Sequence, residues 1–391
     1  MSAAASLLRR ASAPSSRSAE RAALLVDLGE ALTELGSFDD ADAALITAAE
    51  AASKVGDGRL GAKAELARLA TTLYLGAAED WGAQVDEAVP RSLRAFDDAE
   101  DHDGLALAWR LRVGRHGIAA EFAESARAAE QVVHHARLAG NRRYETRGAS
   151  GYAQAALFGP TPVAEAIARC YELLEQVDSD RRTGAFIRSV LAELTAMDNR
   201  IDEGRALLAE SVSQLAELGS NVLASSSSSE SARIEILAGN LHGAEELLWK
   251  DHHALTAMGE RYLLPSVDGL LARVLYTLDR FDEADELAMS VREMAIEDDI
   301  DAQALWRSVR AMLLARRGEV EDAITLSLEA IDMRRRSDAI VFLADALADF
   351  SEVLRFSGRE DEVRAVRAEA LRLYERKGDV VSAGRLRSLL S

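Results

Sequence analysis

Cysteine, proline and aromatic residues are all scarce in this sequence. The single cysteine, Cys170, excludes an internal disulfide and a thiolate metal cluster, and it fits a reducing, cytoplasmic setting. Only five prolines interrupt 391 residues, and aromatics make up 5%, which leaves little material for a β-rich core. No uncharged stretch reaches the roughly eighteen apolar residues of a membrane span. The longest, 148–164, contains Gly and Pro. Basic residues are also in the minority, and a formal net charge of −20 would repel a phosphate backbone, so neither membrane nor nucleic acid is expected as a partner.

What is abundant is Ala, Leu, Glu and Arg, a balance that predicts an all-α protein whose helices pack closely through small side chains. A turn of the form Gly-x-apolar-acid-acid-small recurs as GSFDDA (36–41), NRIDEG (199–204), GNLHGA (239–244), DRFDEA (279–284), GEVEDA (318–323) and GREDEV (358–363). Its last positions, Gly204, Ala244, Ala284, Ala323 and Val363, are separated by 40, 40, 39 and 40 residues, a fixed period that signals stacked units. Weaker copies place anchors at Ala88, Ala126 and Ala166, giving steps of 47, 38, 40 and 38 from Ala41 to Gly204, which makes nine units. Twelve residues before each anchor stands a second position, small in eight of the nine: Gly29, Gly76, Gly114, Gln154, Ala192, Ala232, Ala272, Ala311 and Ser351.

Each unit therefore reads as a helix hairpin with one small site per helix, so that the axes approach at the short end of the roughly 8–10 Å packing range. The acids beginning the second helix suit its positive end, and the Gly or Asn before them suits a left-handed residue closing the first. Residues such as Leu270, Leu271, Val274, Leu275 and Leu278 form a buried stripe at helical spacing. The twelve-residue interval resembles the tetratricopeptide repeat, with helices about a turn longer; HEAT-type repeats share the period but not the paired small sites. The expected architecture is a right-handed superhelical solenoid over 21–391, preceded by a leader or frayed boundary at 1–20.

Four segments go beyond the generic repeat: LFGPTPVAEAIARCYELL (157–174), DDIDAQALWRSVRAMLLARRG (298–318), ADALADFSEVLRFSGRED (344–361) and LRLYERKGDVVSAGRLRSLL (371–390). They resemble the C-terminal helical region of large actinobacterial-type signalling proteins, in which a class III adenylate or guanylate cyclase domain precedes an ATPase domain and tetratricopeptide-like repeats. The resemblance implies a regulatory region, either excised or stand-alone, whose partner is a protein segment such as that of an upstream ATPase or cyclase. No GxxxxGKS/T phosphate loop occurs, and no strand-like segment offers a cyclase site, so neither ATP hydrolysis nor cyclisation is assigned.

In a superhelix of this kind the first helices line the concave face, and the resemblance places four phases inward, 18, 15, 11 and 8 residues before each anchor. The first two give a small, polar floor: Gly148, Gly151, Ser189, Ser226, Ser229, Ser266, Gly269 and Ser308. The third carries the charged posts Arg115, Glu193, Arg233, Arg273 and Glu352, and the fourth carries Phe158 and Tyr276. Arg233 and Arg273 together are candidates to hold an acidic partner segment. The competing reading is that small inner residues merely let the first helices crowd together.

Ser225–Ser229 fall where the period demands a first helix, which they weaken; a linker is the rival reading. His134 with His135, and His252 with His253, project about 100° apart on a helix and are expected as solvated helix ends. RRRSD at 334–338 closes a second helix, and Trp81, Trp109, Trp249 and Trp306 are expected as packing residues. Cys170 falls at a packing phase. No catalytic pair, metal set or cofactor site emerges, so the chain reads as a non-enzymatic interaction scaffold, alternatively as a small-molecule or peptide sensor controlling an ATPase or a transcriptional regulator. The C-terminal VVSAGRLRSLL offers a face through which copies could form a homo-oligomer.

Overall fold

A computed structural model describes residues 5, 6, 9, 18–75, 80–177, 180–218 and 221–390. Among these are nineteen helices and no strand. The first hairpins are α1 (Ser18–Glu34) with α2 (Phe38–Val55), α3 (Gly58–Leu75) with α4 (Trp81–Asp97), and α5 (His102–Ile118) with α6 (Phe122–Ala139). The next are α7 (Arg142–Phe158) with α8 (Val163–Gln176), α9 (Arg181–Met197) with α10 (Ile201–Glu217), and α11 (Asn221–Ala238) with α12 (Leu241–Met258). The last are α13 (Leu264–Thr277) with α14 (Phe281–Met294), α15 (Ile300–Arg316) with α16 (Val320–Arg335), and α17 (Ile340–Phe356) with α18 (Glu360–Lys377). A final helix, α19 (Val380–Ser388), closes the array of nine hairpins. Of the leader at 1–20, residues outside 5, 6, 9 and 18–20 lie beyond the described ones; Ala5 is buried against the first hairpin and Arg9 pairs with Asp40 at 2.5 Å.

The recurring turn forms as its residues require. Gly36, Asn199, Gly239, Asp279, Gly318 and Gly358, the first residue of each of the six clear copies, all have positive φ, between 59° and 85°. Glycine adopts that conformation without a Cβ clash, and Asn and Asp adopt it more readily than other residues. The acids after it, such as Asp202, Glu203, Asp282 and Glu283, occupy the first turn of the second helix. Side-chain caps are found mainly on first helices and on α19: Asp101, Asn141, Asp180, Asp299 and Asp379 accept hydrogen bonds from the first-turn amides of α5, α7, α9, α15 and α19, each cap contributing about 1 kcal/mol, and Asn240 caps the second helix α12 likewise.

In seven hairpins the anchor is the fourth residue of the second helix, and close approach there leaves no room for more atoms. A Cβ on Gly204 would lie 2.7 Å from the carbonyl oxygen of Ala192, its partner twelve residues earlier. Two anchors differ from the sequence reading. The fourth residue of α6 is Ser125, buried and donating to Val113 O at 3.2 Å, whereas Ala126 is half-buried. Ala88 is the eighth residue of α4, one turn late, which accounts for about four of the seven residues by which the 47-residue step exceeds forty. α11 runs unbroken through Ser225–Ser229, so the segment is helix and not linker.

The superhelix winds back upon itself every five hairpins. α17 touches α7, and α19 touches α9. Arg261 N donates to Tyr74 O at 2.7 Å, tying the entry of α13 to the end of α3. Asp338, just before α17, accepts from the amides of Phe122 and Ala123 at 2.7 Å each, so a carboxylate one turn away caps α6. Lys377, fully buried at the end of α18, donates to the carbonyls of Ala156, Gly159 and Thr161 at 2.8–2.9 Å, satisfying the C-terminal end of α7. Phe122, Phe158 and Phe342 pack as tilted rings between these turns with centroid spacings of 5.6 and 5.3 Å.

Candidate functional site

First helices line the interior, and because successive turns touch, the interior is divided into two chambers. The N-terminal one has a volume of about 990 Å³ between α1, α3, α5, α7 and α9. The C-terminal one has about 520 Å³ and is walled by α9, α11, α13, α17, α18 and α19, with Met312 of α15. α9 is the shared partition: Phe186 faces the first, Glu193 and Met197 the second.

The N-terminal chamber is built on two glutamates of α1. Glu30, itself buried, accepts from Arg110 at 3.2 Å, Arg143 at 2.8 Å, Arg147 at 3.1 Å and the Tyr144 hydroxyl at 3.0 Å. Burial alone would raise its carboxyl, but Arg143, Arg147 and Arg110 outweigh it and hold the group down at about 2. Glu34, one turn further along α1, pairs with Arg182 at 2.6 Å, with Arg143 at 3.3 Å and with Arg147. Arg142 and Arg181, at the first turns of α7 and α9, line the same chamber.

The C-terminal chamber inverts this pattern. Arg273 of α13 is gripped by Asp349 at 2.9 Å and Asp345 at 3.3 Å, both from α17. Glu193 is buried, and burial pushes its carboxyl up to about 7 despite Arg233. Burial, then repulsion from Glu193, pushes Glu230 on the neighbouring α11 up to about 8. Arg233 lies over the rings of Phe158 and Phe342, 5.8 and 4.9 Å from their centroids.

Of the residues singled out from sequence, Glu193, Arg233, Arg273, Tyr276 and Glu352 come together in the C-terminal chamber. Arg115 does not join them: with the third hairpin's anchor at Ser125 it falls one residue out of phase, and it pairs with Asp86 of α4 at 3.1 Å while Gly114 lines the N-terminal chamber. Phe158 packs between turns, and Ser266 is half-buried outside both linings. The side chains of Ser226 and Ser229 lie outside the described residues. Of the small floor, Gly148 and Gly151 line the N-terminal chamber, and the small residues also allow close packing: a Cβ on Gly148 would meet Val133 at 2.7 Å, and one on Gly269 would meet Leu305 at 3.0 Å. Ser189 is fully buried and bonds Phe186 O.

Other expectations also needed adjustment. His252 is not a solvated helix end, because its Nδ1 lies 2.7 Å from the buried Asp268 carboxylate. His135 stacks on His102, and no group of three potential ligands for a metal occurs among the described residues. Arg334 of RRRSD is buried, pairing with Asp301 and lying 4.9 Å from the Phe342 ring centroid. Cys170 is fully buried, and burial pushes its thiol up to about 12. Sequence reasoning missed Glu30, Glu34 and the arginines facing them; the signal was a repeated cap-Arg-Arg start, Asn141-Arg142-Arg143 and Asp180-Arg181-Arg182.

The fold is that of a tetratricopeptide-like superhelix. No family model matches the chain, and no curated protein matches it. Among solved structures it is similar to a Rap protein complexed with competence and sporulation factor, at 12% identity and TM-score 0.65 over 95% of this chain and 99% of that one. It is also similar to the APC/C hetero-tetramer Cut9-Hcn1, at 12% identity and TM-score 0.59 over 95% of this chain and 69% of that one. No helix among the described residues is long and apolar enough to cross a membrane.

Proposed function

We propose that the chain is a non-catalytic scaffold of a bacterial signalling system that binds a protein segment inside its superhelix. The carrying observation is the interior itself: two roomy chambers whose walls mix arginines, carboxylates and apolar side chains, on a frame of first helices. Such a surface recognises an extended or helical segment through several separate contacts and needs no reaction centre. A Rap chain of similar fold is complexed with a factor, which supports the reading. The segment would come from an ATPase or cyclase domain of the kind that the four resembling segments imply.

Glu193, Arg233, Arg273 and Tyr276 are the C-terminal chamber's candidate contacts. The test is affinity capture from the native extract with the full chain and with R233A/R273A, followed by calorimetry on the captured partner. Losing both guanidinium contacts should weaken it by about 1.5–3 kcal/mol per contact. A partner held equally well by a folded double variant would remove the chamber from the function.

A second reading, a sensor for a small molecule or peptide, is favoured by one observation. The N-terminal chamber's 990 Å³ falls at the upper end of the roughly 300–1,000 Å³ typical of ligand pockets. One of its wall helices, α7, is tied at its end to the next turn by Lys377, so a ligand that altered the pitch would be felt at that joint.

A further inference from the structure

Six arginines, Arg110, Arg142, Arg143, Arg147, Arg181 and Arg182, line the N-terminal chamber of a chain whose net charge is −20. The carboxylates beside them do not balance that charge. Glu30 and Glu34 together face four of the six. Asp180 is occupied with the first-turn amides of α9 and the Thr183 hydroxyl. Asp27 is raised above the ordinary aspartate range by burial and by Glu30. Arg182 Nε is buried and meets no acceptor among the described residues, and Arg181 reaches Glu217 on the exposed rim at 3.2 Å.

We propose that this chamber binds an acidic protein segment, whose carboxylates compete with Glu34 for Arg182 and Arg143 and extend to Arg181 at the mouth. α1 shows the pattern that fits: Glu30 and Glu34 stand four residues apart on one helix face and between them meet guanidinium groups from α5, α7 and α9. A segment with acids at that spacing presents the same chemistry. A single inorganic anion does not span arginines from three helices, and it has no use for Leu73, Leu107, Leu111 and Phe186, which form the apolar part of the wall. Apolar side chains flanking the acids would cover them.

This inference rests on the scaffold reading, which it makes specific, and its test separates the two. The full chain is titrated by fluorescence anisotropy with a labelled octapeptide carrying two glutamates four apart among leucines, and with its glutamine twin. The acidic probe is expected to bind about tenfold more tightly than the twin and to weaken as salt rises. R181Q/R182Q should lose about tenfold, while E34Q, which removes the competing carboxylate, should gain about threefold. Opposite signs for these variants are not produced by general loosening, and the salt titration needs only the unmodified chain if a variant fails to fold. Equal binding of the two probes overturns the inference, as does weakening in a folded E34Q variant. If inorganic pyrophosphate binds with the same arginine dependence and the acidic peptide does not, a small anion replaces the segment. If the peptide fails while a partner is still captured from extract through the C-terminal chamber, the scaffold reading stands and this inference falls. If both fail, both fall.

Discussion

The N-terminal and C-terminal chambers are walled by the same kind of helix, yet six arginines and three carboxylates, with Glu30 behind them, line one, and five carboxylates and three arginines line the other. In the first, α1 supplies the acids and the later helices α5, α7 and α9 supply the bases. In the second, α17 supplies acids to an arginine of the earlier α13. Both chambers are thus bridged by ion pairs between non-adjacent hairpins, but only the first is left with surplus positive charge. Repeat period alone does not decide polarity; it is decided by which hairpin's helix reaches across the interior.

The comparison can be broken most severely at the joint that serves both chambers. Lys377→Met keeps the bulk but leaves the Ala156, Gly159 and Thr161 carbonyls without their donor, and should cost about 3 kcal/mol in chemical denaturation, with an increased radius of gyration in X-ray scattering. Glu30→Gln should cost about 2 kcal/mol, less than a fully buried broken pair because Arg110 and Arg143 keep partial solvent contact. Its acid limb should change as well. Folded Glu30 titrates at about 2 against an ordinary 4.5, so the stability it contributes is present above 4.5 and lost as pH falls towards 2, a loss the variant should lack.

The C-terminal chamber should respond to pH with the opposite sign. Glu193 and Glu230 titrate at about 7 and about 8 when folded and near 4.5 otherwise, so in that window the native state binds more protons and stability falls as pH rises. Thermal melts should show a higher Tm at the acidic end of the window, and E193Q/E230Q should flatten the slope; an unchanged slope would remove these carboxyls as its source. The smallest effect is expected at Asp338→Ala, which withdraws the cap from Phe122 and Ala123 at about 1 kcal/mol by denaturant titration.

Much of the fold was legible because it depends on local residues. The left-handed Asn199 and Asp279, the first-turn acids and the paired Gly204 and Ala192 each act within one hairpin, so each left a mark at a fixed interval. The third hairpin was misread by one residue because Ala126 and Ser125 are both small, and that shift displaced Arg115 from the interior. The sites were less legible for a different reason. Lys377 precedes a glycine at a helix end, where a lysine ordinarily lies in water, and Asp338 ends a basic run; nothing local says that another turn of the superhelix arrives to bury them. Glu30 and Glu34 sit on a helix whose arginine partners lie 80 to 148 positions later, beyond any motif.

In an open solenoid each unit senses only its neighbours, so units can be added or removed like beads on a string. Here the contact of α7 with α17 and of α9 with α19 counts the units between them. Deleting or inserting one unit of about forty residues in the middle would bring the wrong helix to Lys377 and Asp338, and every such joint would be mismatched at once. The number of hairpins is thus a fixed structural quantity in this molecule, and its unfolding should be cooperative along the whole coil, without fraying unit by unit from an end.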